Sequence, residues 1–551
     1  MAAATANNET KKRVTVSIPG LKPKPTNKRK QSITSSQAEI AKELSQCRDQ
    51  YSTRLNLSKM EIVSVPLSVK DLTQLTELYL YGNRISVLPN EMGNLVNLNK
   101  LSLSENSITT LPDSFEKLKR LTVLDMRHNK LKDIPTVIYE LISLETLLLR
   151  FNRITEVDRE IDNLSRLNLI SLRENKIRKL PSSIGNLRML VIFDVSYNHL
   201  EEIPSEIGNC LQLTSLDLQH NELTEIPASI GNLRSLKRLE IKYNRLNSVP
   251  PSISNIGLLE EFNAEGNNIS ELPVNSLIRM RSLKSIQLSR NKFHELPAGN
   301  PSQFAFTQSI VIEHNRIERI PSNIFKLAKL LNSLNLKDNQ LASLPPDFGT
   351  WTSLTELNLG TNHLGSISDD LENLVNLEVL ILSNNMLTSL PQNALPALQK
   401  LRVLEIEENE LEFLPPEIGD MSMLTRLVAN NNLLTQLPKE IGKLSKLMYL
   451  AAGENRLMSI PEEIGNLKSL EQLYLNDNEE LNDLPLELAM CESLHLMSVE
   501  GCPLSRLPAE VTAGGPSFIF QYLRVELSQV IQDAQDGSMS AEFLTIDTDL
   551  S

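Results

Sequence analysis

The chain repeats itself, and the period narrows its possible folds more than any other feature. Asparagine recurs at Asn83, Asn106, Asn129 and onward to Asn478, with every step 23 or 24 residues. Met60 and Cys502 extend the register at either end, giving 20 units whose first and last are atypical, as the ends of a stacked array are. Around each asparagine the frame reads L-x-x-L-x-L-x-x-N-x-L-x-x-L-P, as in "LTELYLYGNRISVLP" at 75–89. A length of 551 residues would otherwise point to several domains. Units that touch only their neighbours let one solenoid hold nearly all of it.

Within a unit, x-L-x-L-x has the two-residue period of a short strand with its leucines turned inward, and identical strands stacked in sequence must run parallel. Proline at the "LP" step has no N–H and ends the extended ladder, sending the chain to the outer side through short turns or helices of the "SSIGNL" kind. The asparagine follows the strand at a turn buried between coils, where its amide serves both a backbone C=O and an N–H. Its expected role is structural. The frame matches the leucine-rich repeat pattern, so the expected fold is an α/β repeat solenoid: a leucine-rich repeat horseshoe with a parallel concave sheet and helical caps at both ends.

Residues 1–36 read as a disordered basic arm, broken at Pro19, Pro23 and Pro25 and holding eight basic residues against the single acid Glu9. Ile40, Ala41, Leu44 and Cys47 then fall at helical spacing, which predicts a capping helix over 37–51. The solenoid is expected over 52–508, a second cap helix around "IFQYLRVEL" over 509–528, and an acidic flexible tail over 529–551. The period lengthens to 24 beyond Asn267, beside the irregular "LPAGNPSQFAFTQSI" at 296–310, and a local change of curvature is expected there.

A net charge of -13 disfavours a general nucleic-acid binder, which needs a basic footprint. The four cysteines, Cys47, Cys210, Cys491 and Cys502, lack the flanking pairs of disulfide-capped extracellular repeat arrays, and three of them fill repeat positions normally apolar or asparagine. They read as reduced packing residues. The opening "MAAATANNETKKRV" has no apolar core of a signal peptide, no run of 18 apolar residues occurs, and neither a myristoyl nor a prenyl signal is present. A cytoplasmic chain with no direct membrane insertion is expected, and "KPTNKRK" leaves a nuclear pool open. Phosphate-binding loops and nucleophile elbows are absent, and His128, His220, His314 and His363 sit on different rungs with no cysteine at ligand spacing. No metal, cofactor or catalytic residue is expected.

The residues between the leucines line the uncovered inner wall, and each column of the repeat alignment is a physical ladder with steps of about 4.8 Å. After the second strand leucine come Arg127, Arg150 and Arg173 on successive rungs, with Lys242 in the same column further on. The next column holds His128, Phe151, Tyr197, His220 and Tyr243. Between the strand leucines stand Asp194, Asp217 and Glu240 on rungs seven to nine, and Asp125 on rung four. Like charges opposite one another destabilise a sheet unless something answers them. Arginine interleaved with Tyr and Phe is also the composition of tight protein interfaces. Six rungs span ~25 Å, enough for a standard one. A second candidate patch is the acidic run Glu405, Glu407 and Glu408 in "LEIEENELEFLP". In the arm, "KKRVTV" alternates Val14 and Val16 after a basic run, which suits an extended segment added to the sheet edge of a partner.

The strings "LTQLTELYLYGNRI", "LDMRHNKL", "LLLRFNRIT", "LDLQHNEL", "LYLNDN" and "AGGPSFIFQYL" together resemble the suppressor-of-Clear family of leucine-rich repeat scaffolds in the Ras to Raf (MAP kinase) pathway, over about residues 37–525. The resemblance implies a non-catalytic scaffold that joins a Ras-family GTPase in its GTP form, notably of the M-Ras type, to the catalytic subunit of protein phosphatase type 1. That assembly removes an inhibitory phosphate from Raf kinase, an indirect partner, and promotes signalling. Recruitment to the membrane would come through the GTPase. It further implies phosphatase docking through Arg13, Val14, Thr15 and Val16, in the place of an R-V-x-F element, with Val16 where an aromatic is expected. Two other readings of the repeats are a polarity-type adaptor, which normally adds peptide-binding domains, and a ubiquitin ligase using Cys491 or Cys502 as nucleophile, which needs a catalytic domain beyond the repeats.

Overall fold

The computed structural model describes residues 28–535, apart from Ala298, with side-chain environments for 37–533. Twenty strands of three residues, from Arg54–Asn56 to Leu496–Ser498, form a single parallel sheet. Each pairs in register with the next in chain order, so Leu101 lies opposite Leu124 and Leu124 opposite Leu147. The ladder runs on past each strand, with the Leu103 N–H donating to Asp125 O at 2.7 Å and the Glu105 N–H to Arg127 O at 2.9 Å. Central leucines are buried while their neighbours along the strand are half-exposed, the alternation that a two-residue period dictates.

Proline turns the chain outward. Pro89, at φ -74° and ψ 146°, immediately precedes the short helix Asn90–Asn94, which the Leu95 N–H closes onto Met92 O. Most of these convex elements are five-residue 3-10 turns, thinner than α-helices, and the spacing explains why. Strands stack at about 4.8 Å, whereas an α-helix with its side chains is about 10 Å across. Slim turns and small residues keep the outer layer from prising the coils apart. A Cβ on Gly208 would stand 2.5 Å from Ser229 O and 2.6 Å from Ser229 Cβ.

Between sheet and convex turns runs a continuous core of Leu and Ile, with Phe115, Phe193 and Phe262 fully enclosed. Around 296–310 the convex layer changes character. The regular turn gives way to Pro301–Phe304, capped by Asn300 Oδ1 accepting from the Ser302 N–H at 3.0 Å. Here Phe304, Phe325 and Trp351 fill the wider coils, with ring centroids 5.2 and 5.4 Å apart.

The register asparagines tie each coil to the one before. Asn175 Nδ2 donates to Leu149 O at 3.1 Å and Leu172 O at 2.8 Å, while its Oδ1 accepts from the Ile154 N–H at 3.0 Å. The same set recurs at Asn198, Asn221 and Asn244. All four cysteines are free thiols, three of them buried and Cys502 partly so.

Helix α1, Lys28–Asp49, covers the first strand with Ile40, Leu44 and Cys47. It opens ahead of residue 37, inside the stretch expected to be disordered; "KRKQ" consists of straight-chain residues that lose little freedom in a helix. At the other end α2, Ala509–Ala513, leads into α3, Pro516–Gln535, whose Ile519 and Leu523 close the core. That helix passes residue 528, helped by Gln529 Nε2 donating to Asp533 Oδ1 one turn on at 2.9 Å. The basic arm up to residue 27 and the tail beyond 535 lie outside the described residues.

Candidate functional site

Parallel, in-register strands put the inner-wall columns side by side along rungs four to nine. The residue just before each register position holds a left-handed backbone, and here it is filled by His128 (φ 54°), Phe151 (58°), Tyr197 (54°), His220 (52°) and Tyr243 (52°). Glycine stands at the same place on other rungs, at Gly82 and Gly266. A non-glycine residue there costs ~1–2 kcal/mol, and the same backbone recurs on most rungs, at Glu105, Glu174 and Arg290 for example, so what sets this stretch apart is the rings that fill it. His128 stacks on Phe151 at 4.2 Å, and His220 lies between Tyr197 at 4.1 Å and Tyr243 at 4.5 Å. Burial, then Lys242 and Arg173, push the His220 imidazole below its ordinary value, so at neutral pH it stacks as an uncharged ring.

The three arginines of the neighbouring column have different surroundings. Asp125 grips Arg127 in a two-point pair, Nε to Oδ1 at 2.7 Å and Nη2 to Oδ2 at 2.6 Å. Arg173 faces Glu174 at 3.8 Å and lies over the Tyr197 ring at 4.4 Å. Arg150 makes no ion pair among the described residues; its Nε is buried without a hydrogen-bond partner and its guanidinium stands 6.0 Å from the Phe151 centroid. A guanidinium satisfied on neither side is suited to an incoming carboxylate, which it can meet with two parallel bonds.

The acid row beside it is largely answered from within. Asp194 accepts from the Ser196 N–H at 3.1 Å, Ser196 Oγ at 2.7 Å and Ser171 Oγ at 3.1 Å. Asp217 accepts from the Gln219 N–H at 3.1 Å and Gln219 Nε2 at 2.8 Å. Burial raises the Asp217 carboxyl, and Asp194 adds to the shift. Glu240 is 4% exposed and takes Arg238 Nε on one oxygen at 3.0 Å, while the other has no partner. Burial dominates in raising it too. Arg238, which also faces Glu261 at 3.3 Å, and Glu265, which accepts from Tyr243 Oη at 2.5 Å, belong to this wall but are missed by sequence reading. Period two signals Arg238, two positions before Glu240 on the same strand face.

In the second patch, Glu405 is met by Arg426 Nε at 3.1 Å, and that arginine lies 3.9 Å from the Tyr449 centroid. Burial, then Glu405 and Glu408, raise the Glu407 carboxyl. Arg13, Val14, Thr15 and Val16 lie outside the described residues. Cys491 is buried, donates to Ile464 O at 3.2 Å and has its thiol pushed up to about 11; burial raises Cys502 as well. Neither is an available thiolate at neutral pH. Among the described residues, no cluster of three His, Cys, Asp or Glu side chains is placed to hold a metal, and no helix is long and apolar enough to cross a membrane.

Comparison with known proteins fits this geometry. A leucine rich repeat family model matches residues 53–131, 142–200, 211–269, 307–364 and 352–411, and a leucine-rich repeat region model matches 384–500. The chain belongs to the leucine-rich repeat family. Within it, the chain is similar to proteins of the group its sequence resembles. A leucine-rich repeat protein soc-2 homolog of Nematostella vectensis is 55% identical over 250 residues, which is 45% of this chain and 43% of that protein. The leucine-rich repeat protein SHOC-2 of Danio rerio is 57% identical over 51 residues, 9% of each chain. The chain thus spans less than half the length of these relatives. Among solved structures, the Arabidopsis receptor kinase HAESA, in complex with the peptide hormone IDA and the co-receptor SERK1, aligns at 27% identity with TM-score 0.58 over 83% of this chain and 84% of that one. These matches support a leucine-rich repeat scaffold protein.

Proposed function

We propose that this leucine-rich repeat protein is a non-catalytic scaffold that brings a GTP-loaded Ras-family GTPase together with the catalytic subunit of protein phosphatase type 1, so that an inhibitory phosphate leaves Raf kinase and signalling rises. The observation that carries the reading is Arg150: a guanidinium with no ion pair among the described residues, its Nε buried and unsatisfied, beside stacked rings on the same wall. An acidic segment of a GTPase, available only in one nucleotide state, supplies the missing carboxylate. The similarity to leucine-rich repeat proteins named soc-2 homolog and SHOC-2 supports the scaffold part of this reading. On this reading Arg127 and Arg173, already paired at home, position the wall, and the arm residues Arg13, Val14, Thr15 and Val16 recruit the phosphatase.

The mechanism is effective concentration. Two partners held on one stiff arc meet Raf as if intramolecularly, and linkage of this kind raises avidity by about 10²–10⁴ without any new contact. The test is a pull-down with purified phosphatase and nucleotide-loaded GTPases. Arg150→Glu should cut binding of the GTP form at least about tenfold, leave phosphatase capture by the arm in place, and keep the melting temperature. Undiminished GTPase binding by that variant would overturn the assignment of the site.

A further inference from the structure

Each coil crosses from its convex turn to its strand through two residues lodged between buried leucines, and the strand register stacks these pairs into two straight columns along one rim. From Thr73 and Gln74 to Lys468 and Ser469, neither column contains an Asp or a Glu, in a chain of net charge -13. Lys119, Arg120, Arg166, Arg188, Arg234 and Arg281 occupy them over rungs four to eleven, all exposed. Between those cations stand Ile142, Met189, Leu211 and Leu258, each about half exposed at 52, 51, 51 and 50%.

The opposite rim, where each coil leaves its strand, mixes both signs. Over the same rungs Glu156, Glu202 and Glu225 stand beside Arg153, Lys179 and Arg245, all exposed. The arc therefore has one rim that is cationic and apolar-studded and one of mixed sign.

Backbone capping explains part of this. Lys119 Nζ donates to Glu140 O at 2.8 Å and Arg188 Nη1 to Asn209 O at 2.9 Å, so cations serve the carbonyl ends of the adjacent convex turns. Capping does not explain half-exposed Ile, Met and Leu in the same columns, nor Arg166, Arg234 and Arg281, which make no ion pair or side-chain hydrogen bond among the described residues. Of the flanking acids, Glu140 is met by Lys119 at 3.6 Å and Glu260 by Lys284 at 2.8 Å, while Glu145 has no ion pair among the described residues.

We propose that this rim lies directly against an anionic membrane surface. Lys and Arg interleaved with single apolar side chains is the composition of interfacial binding, in which charge attracts the surface and apolar groups enter the headgroup boundary without spanning it. Seven rung steps from Lys119 to Arg281 make a strip ~34 Å long, a shape suited to an extended plane of charge. The opposite rim offers no such strip, because cations there are paired with acids of the same rim, Lys179 with Glu202 and Arg245 with Glu222. Such contact would orient the concave wall sideways to the bilayer, and it needs no bound GTPase.

The test is sedimentation of the full chain, alone, with vesicles of phosphatidylcholine and with vesicles containing roughly 30% phosphatidylserine. The expected result is phosphatidylserine-dependent binding that weakens steeply as salt rises from about 50 to 200 mM. The variant Arg166→Glu, Arg234→Glu, Arg281→Glu should bind at least about tenfold more weakly with an unchanged far-ultraviolet spectrum and melting curve. A second variant, Lys11→Gln, Lys12→Gln, Arg13→Gln, separates the rim from the basic arm. Binding that survives the rim variant, or that vanishes on neutralising the arm alone, or that is equal on the two vesicle types, overturns the proposal.

Discussion

Arg127, Arg150 and Arg173 fall in one column, yet their side chains do different things. The column itself is legible from the period, because in-register strands make every alignment column a ladder. Which arginine is left without a carboxylate is not legible, since it turns on whether an acid two residues away or one residue away folds back, as Asp125 does to Arg127 and Glu174 to Arg173. The asparagines lie at the other extreme, because a polar group at a buried turn must find both donor and acceptor partners wherever it occurs. Glu240 gives a prediction at this scale. Its folded pKa lies above the ordinary carboxylate value because burial penalises the charge, so the native state holds the proton more tightly than the unfolded chain. Stability from this residue is complete below the ordinary value and is lost as pH climbs through the raised one. Glu240→Gln should therefore raise the melting temperature at neutral pH and flatten its fall as pH climbs above the ordinary carboxylate value. Thermal unfolding across that range checks it, and an unchanged slope would remove burial as the cause.

Strands and turns follow from the repeat frame, down to the proline that starts each convex segment, but their helical type does not. The "SSIGNL" stretch has no sequence mark that separates a 3-10 turn from an α-turn; the choice is made by the tight stacking of coils. Glycine in the convex turn is where that constraint shows. Gly208→Ala puts a methyl carbon within 2.5 Å of backbone oxygen in the next coil, and overpacking of this sort costs ~1–3 kcal/mol. Unfolding in denaturant should show that loss, and amide exchange should quicken in the turns Ser205–Asn209 and Ala228–Asn232. The caps repeat the lesson at the chain ends. Apolar spacing locates α1 and α3, while their outer limits at Lys28 and Gln535 depend on local helix preference beyond the buried face.

At the scale of the molecule, twenty rungs form one continuous sheet whose inner wall is not covered by any other described element. The horseshoe is readable from recurrence alone. The partners are not: repeat spacing says that a wall exists, and only the resemblance to a family says what meets it. The central claim is that GTP-dependent recognition takes place on rungs four to nine of that wall. Hydrogen–deuterium exchange of the full chain, with and without a GTP-loaded Ras-family GTPase, tests it most directly. The account predicts slowed exchange confined to the segments that follow the strands there, from Arg127 to Asn244, and none with the GDP form. Slowing confined to the convex turns, or no change with either nucleotide, would contradict it.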